Sequence, residues 1–147
     1  MKGYRIRDYN PDDYEHVSTL WQVTGMGSPE RGDDKDTIER CIKIGGRLII
    51  LEDQENNIIA GTSWLTFDGR RLYLHHFGIL PEYQGKGLSR YLLEESLEYV
   101  KETGCQVKLE VHRSNKVAIK LYKKYGFKYL GDYKVFIIRN TEDIKSN

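Results

Sequence analysis

Little in this chain is extreme, and each shortage excludes something. Net charge is almost absent: 23 Lys and Arg stand against 22 Asp and Glu, a formal net charge of +1. That balance gives no reason to expect bulk nucleic-acid binding, and the short basic runs Arg70-Arg71 and Lys123-Lys124 read as solvated turns and helix faces. No apolar stretch approaches the length of a membrane span, and no signal-peptide core follows Met1-Lys2-Gly3-Tyr4-Arg5, so a cytoplasmic protein without a membrane partner is expected. There are only two cysteines, Cys41 and Cys105, distant from each other and without metal-ligand company. This argues against a disulfide framework or a zinc site, and no metal is expected. Cys105, following Gly104 at a strand start, reads as a buried inert thiol. Internal repeats, low-complexity segments and interdomain linkers are also missing.

What remains is a balanced globular composition. The 147 residues suit one domain with one core, with a tail from Thr141 to Asn147 that reads as frayed. Hydrophobic residues make up 39%, enough for that core, and tyrosine is unusually frequent at 11.

Periodicity and punctuation give the element order. Gly3 to Asp8 alternates as a first strand. Asn10-Pro11-Asp12-Asp13 is a helix start, with a capping Asn, a first-turn Pro and acids that complement the dipole. Tyr14, Val17, Leu20 and Trp21 form the stripe of that helix. Thr24 to Gly32, with three glycines and Pro29, is a loop. Asp33 or Asp34 caps a second helix that ends at Gly45-Gly46. Arg47–Asp53, Ile58–Phe67 and Arg71–Ile79, joined by short polar turns, predict an antiparallel meander. A third helix runs from Leu88 to Gly104, a fifth strand carries Val107, Leu109 and Val111, and Asn115 caps a fourth helix closed by Gly126. Phe127 to Leu130 and Tyr133 to Ile138 read as final strands around Gly131-Asp132. The order βααβββαβαββ predicts an α/β (α+β) fold with a mixed, mostly antiparallel sheet of about seven strands and helices on both faces. The unit from Leu72 to Val111 requires a right-handed parallel crossover.

The most informative segment joins the fourth strand to the third helix. Gln84-Gly85-Lys86-Gly87-Leu88-Ser89 places free backbone N–H groups at a helix N-terminus, a nest for an anion and usually a phosphate. Such turns also serve as plain connections. The spacing matches neither a P-loop nor a dinucleotide fingerprint, because Arg90 stands where the third glycine would fall.

Pro81 to Ser89 resembles the acetyl-CoA signature of the GNAT acetyltransferase superfamily, [QR]-x-x-G-x-[GA], through Gln84 and Gly87, with Ser89 in place of the usual Gly or Ala. Asn115-x-x-Ala118-x-x-Leu121-Tyr122-x-x-x-Gly126-Phe127 is similar to the family's second signature. The resemblance implies the GNAT fold and acetyl-CoA as cosubstrate. By the same resemblance, pyrophosphate is held on the amides of Gln84, Gly85, Lys86, Gly87, Leu88 and Ser89, and pantetheine pairs with Phe77, Gly78 and Ile79. Asn115 and Tyr122 also face the cofactor by this likeness. Gly78 inside a strand suits either a close backbone approach or a packing contact, and Lys86 suits either a phosphate or solvent.

Acetyl transfer to an amine needs a base and an acid, and no covalent enzyme intermediate. The resemblance implies that Tyr122 protonates the CoA sulfur, although with eleven tyrosines its composition alone suggests core packing. Leu109-Glu110-Val111-His112 is similar to a segment of ribosomal-protein N-terminal alanine acetyltransferases, which implies Glu110 as base. A partly dry cleft would suit that role, and a solvated surface glutamate is the other reading. His75 and His76 are rivals, with alternation sending them to opposite faces; His76 is taken forward as a third catalytic candidate. The function expected is an N-acetyltransferase acting on a primary amine, either a peptide or protein α-amine or a small molecule. The alternative is a non-catalytic acyl-CoA-binding or regulatory module. Family members are often dimers, and the terminal strands offer a homodimer a place to pair.

Overall fold

The computed structural model describes residues 1–146. Strand β1 (Tyr4–Asp8) leads into a 3-10 turn at Pro11–Asp13 and helix α1 (Tyr14–Thr24). The start is a capping box: Asn10 Oδ1 accepts the Asp12 amide at 3.1 Å, and Asp13 Oδ2 accepts the Asn10 amide at 2.8 Å. Helix α2 (Lys35–Lys43) begins where Asp34 accepts the Thr37 amide at 2.8 Å. Strands β2 (Arg47–Asp53), β3 (Ile58–Phe67) and β4 (Arg71–Ile79) follow as the meander, with Asp68 Oδ1 accepting the amides of Arg70 and Arg71 in the second turn. Helix α3 (Leu88–Thr103) then crosses to β5 (Gln106–Leu109).

The sheet order is β1-β2-β3-β4-β5, antiparallel throughout except for the parallel β4–β5 pair. Alternation divides its side chains between two faces. Leu48, Ile50 and Trp64 pack with Val17, Leu20 and Trp21 of α1 and Ile38 of α2. Ser63 lies on the other face, where its hydroxyl meets that of Ser96 on α3 at 2.7 Å, near the fully buried Leu92 and Leu93. The buried hydroxyls satisfy one another, and small side chains there let helix and sheet approach closely.

The chain divides into two compact units, one from Met1 to Glu110 and one from Val111 onward. The second contains helix α4 (Lys116–Lys124) and a 3-10 turn at Thr141–Asp143. Asn115 Oδ1 accepts the Ala118 amide at 3.3 Å, so the expected cap forms. The two strands expected over 127–138 do not. Those residues join no ladder, and Tyr129, Leu130, Tyr133, Val135, Phe136, Ile137 and Ile138 stand exposed. Among the described residues the sheet therefore has five strands rather than about seven. A strand exists only through a paired edge, which a period-two pattern cannot supply. Cys105 is also half-buried rather than enclosed.

A charged network ties β1 to β2 and to the start of α1. Glu52, buried on β2, accepts from Arg5 Nη2 at 2.7 Å and from Arg7 Nη2 at 3.2 Å, and Arg7 forks onto Asp13 at 2.7 and 3.0 Å. Burial acts to raise the Glu52 carboxyl, but the hydrogen bonds and charges of Arg7 and Arg5 outweigh it and hold it below the usual carboxylate value. Asp13 is held low by the same balance. Because these folded-state values are depressed, the stabilisation is present above the ordinary carboxylate range of about 4 and is lost as pH falls through the folded values. Thermal melts followed by circular dichroism should be flat from about pH 7 to 5 and fall below about pH 4. Arg7→Leu should cost about 2 kcal/mol at neutral pH and flatten that acid limb.

Candidate functional site

The turn after β4 has the geometry of an anion cradle. Gly85 and Gly87 take φ of +77° and +74°, a left-handed backbone that glycine adopts without strain. Gly87 is the N-cap of α3 and supplies no side chain, and among the described residues the amides of Gly85 to Ser89 form no hydrogen bond outside the helix. Unbonded N–H groups on a sixteen-residue helix concentrate positive potential at one point. The turn is anchored from behind. Gln84 Nε2 donates to the Ile79 carbonyl at 3.0 Å, and the buried Tyr83 hydroxyl donates to Asp53 Oδ2 at 2.8 Å. Asp53 also accepts the amides of Glu55 and Asn56 and the Asn56 side chain, which hold its carboxyl low, while burial and Asp53 push the Tyr83 phenol up to about 12. Lys86 rests its ammonium 5.4 Å above the Tyr83 ring. A cleft of about 480 Å³ opens beside Tyr4, Asp53, Leu80, Tyr83 and Lys86, flanking the turn and away from His75, His76 and Glu110.

Upstream, β4 is broken by a bulge. Thr62 pairs with Gly78 and Trp64 with His75, so Ser63 lies opposite both His76 and Phe77. His76 adopts φ of +44°, unusual for a residue with a side chain. Thr62 holds it there: its hydroxyl donates to the His76 carbonyl at 2.8 Å and accepts the Trp21 indole N–H at 2.9 Å. The expected separation of the two histidines onto opposite faces is thereby corrected. His75 lies opposite Trp64, and the His75 and His76 rings stand 6.3 and 5.3 Å from the Trp64 ring. The bulge breaks the alternation on which the expectation rested. Gly78 leaves room for Met26, whose Sδ would lie 2.7 Å from an added Cβ. Its packing role is therefore on this face.

Tyr73 stacks on His75 with centroids 4.2 Å apart, and Glu110 is near enough to act on the Tyr73 phenol. Burial, then Glu110, push the Tyr73 phenol well above its ordinary value. Burial lowers His75 to about 4, so its imidazole is neutral at physiological pH. Glu110 itself is exposed just beyond β5, not enclosed in a dry cleft.

In the second unit Tyr122 is buried, edge-on to Phe127 at 5.6 Å, and burial raises its phenol to about 12. It stays protonated across the neutral range.

Sequence reasoning missed Thr62, Asp53 and the contact of Asp33 with His76. Each acts through a partner distant in the chain, and nothing near them marks that role. The Asx-type turn at Asp53 to Asn56 is the one local signal available.

The model of the family described as Acetyltransferase (GNAT) family matches residues 9–127. Among solved structures, an acetyltransferase from Streptococcus agalactiae is 20% identical with a TM-score of 0.75, covering 96% of this chain and 94% of its own. An acetyltransferase from Salmonella typhimurium, solved with its cofactor acetyl-CoA, is 22% identical with a TM-score of 0.70 over 84% and 79%. Glucosamine-6-phosphate N-acetyltransferase from Arabidopsis thaliana is 19% identical with a TM-score of 0.66 over 94% and 98%.

The cradle is testable by binding alone. Gly87→Ala forces a methyl-bearing residue to a left-handed φ, at a cost of about 1–2 kcal/mol, where its Cβ otherwise meets nothing. Calorimetric titration with CoA should show at least a roughly tenfold weaker Kd for Gly87→Ala and a smaller loss for Tyr83→Phe. An unchanged Kd in both would remove the turn from binding.

Proposed function

The chain belongs to the Acetyltransferase (GNAT) family, and from that premise we propose that it is an N-acetyltransferase moving the acetyl group of acetyl-CoA directly to a primary amine. The observation that carries this reading is the cradle. Two left-handed glycines open α3 with unbonded amides immediately after a bulged β4 that pairs in parallel with β5. The donor set, all backbone N–H, fits a pyrophosphate and needs no metal. The amides of Gly85, Lys86, Gly87, Leu88 and Ser89 would hold that group, with Gln84 bracing the turn and Phe77, Gly78 and Ile79 supplying the strand edge. The hydroxyl of Ser89 adds a donor where a smaller residue would leave none.

Glu110 is proposed as the base that takes a proton from the attacking amine nitrogen as the new amide bond forms and the thioester C–S bond breaks. Tyr122 is proposed as the acid that returns a proton to the leaving sulfur; its raised value keeps the phenol loaded at neutral pH. Asn115 is assigned to cofactor contact on the strength of its motif position, beside its capping role. For the acceptor, the likeness of Leu109 to Asn115 to N-terminal alanine acetyltransferases favours a peptide α-amine over a small molecule. The family match runs through both compact units and supports reading the chain as one functional domain. No described helix is long and apolar enough to cross a membrane.

Thiol release from acetyl-CoA should be measured across a panel of peptide N-termini and small amines. Tyr122→Phe should lower kcat by about 10²-fold while sparing CoA affinity, and Glu110→Gln should lower kcat/KM comparably. Full CoA binding with no turnover on any amine would instead identify a binding module.

A further inference from the structure

We propose that Asp33 and His76 form a clasp that seats the α1–α2 loop on the β4 bulge, which makes His76 a positioning residue for the acceptor and not the base. The inference rests on the acetyl-transfer reading for its purpose, but its geometry is independent of that reading.

One oxygen does two tasks. Asp33 Oδ2 lies 3.1 Å from His76 Nε2 and accepts the Ser28 amide at 3.1 Å, while the Asp33 carbonyl accepts from Tyr14 at 3.4 Å. The middle of the loop, the first turn of α1 and the strand beneath thus converge on one residue near the loop's end. Both side chains are largely but not fully covered, at 14% exposure for His76 and 12% for Asp33. The His76 ring is wedged 4.4 Å from the Trp21 ring and 5.3 Å from that of Trp64. Its Nε2 has no partner in hydrogen-bond geometry, so the neutral ring meets the Asp33 carboxylate in a short, off-line polar contact and not as an ion pair.

The steric fit tells the same story at two further positions. A Cβ on Gly27 would fall 2.1 Å from Asp33 Oδ2 and 2.5 Å from His76 Nε2. A Cβ on Gly78 would meet Met26 at its Sδ and Cε. Gly27 is therefore fitted to the Asp33–His76 contact itself, while Gly78 gives the flexible Met26 side chain its place beside it. The loop itself has only a 3-10 turn at Pro29–Arg31 and carries Gly25, Gly27 and Gly32, so its intrinsic order is low. A base must be free to reach the substrate proton, and an imidazole walled in by two indoles and a carboxylate is not. Burial lowers its proton affinity more than Asp33 raises it. The ring is therefore neutral and fixed.

Arg31 is exposed within the loop and gives a readout that needs no activity. Trypsin should cut after Arg31 at least about fivefold faster in Asp33→Ala and in Gly27→Ala than in the unaltered protein, with CoA affinity unchanged. His76→Asn keeps a residue type that tolerates positive φ. It should raise the acceptor KM about tenfold while leaving kcat within about twofold. Wild-type cleavage rates in both loop variants would overturn the clasp. So would a kcat loss of about 10²-fold in His76→Asn with KM unchanged, since that marks a reacting group. Should the loop variants be cut faster while the unaltered protein acetylates no amine, the clasp stands and the acetyl-transfer reading falls.

Discussion

The hydroxyl of Thr62 has one proton to give and gives it to the carbonyl of His76, while its lone pair takes the indole N–H of Trp21. Those two bonds join helix α1, strand β3 and the bulge of β4 at one buried atom. Without them the His76 carbonyl would lack this partner at a backbone angle that side-chain-bearing residues avoid, and such strain persists only where its surroundings over-determine it. The bulge in turn decides which way His75, His76 and Phe77 present themselves, how Gly78 receives Met26, and where the strand ends before the cradle. The rest of the candidate site is downstream of this arrangement.

The cradle and the bulge divide the work differently. The cradle is backbone chemistry: glycine angles, unbonded amides and a helix dipole, braced by Gln84 and Tyr83. Its side chains matter mainly by being small or by bonding rearward. Around the bulge, side chains carry the arrangement, and aromatic rings confine two imidazoles that remain neutral at physiological pH.

Local chemistry was readable from the residues alone, and non-local chemistry was not. Asn10, Asp34 and Asn115 cap helices through bonds to residues two or three positions ahead, so their roles show in any short window. The limits of β2, β3 and β4 follow from polar turns equally close by. The glycine turn also announces itself. The slip at Ser63 depends on the facing strand, and it was enough to undo the alternation argument for His75 and His76. Asp33 was readable as a helix cap candidate and a charged loop residue, but not as a partner of His76, which sits on the third strand after it. Residues 127–138 have the composition of strands, but composition does not provide an edge to pair with, and they stand outside the sheet.

Asp53 accepts four hydrogen bonds, three from the tight bend that follows it and one from Tyr83 just before the cradle. The exposed bend at 54–57 is the sort of surface corner where a fluorophore or epitope tag is commonly grafted. Here it shares a carboxylate with the turn that precedes α3. A label placed there would sit one side chain from the candidate cradle, which makes the corner a poor place for an inert tag and a good one for an optical sensor of that turn.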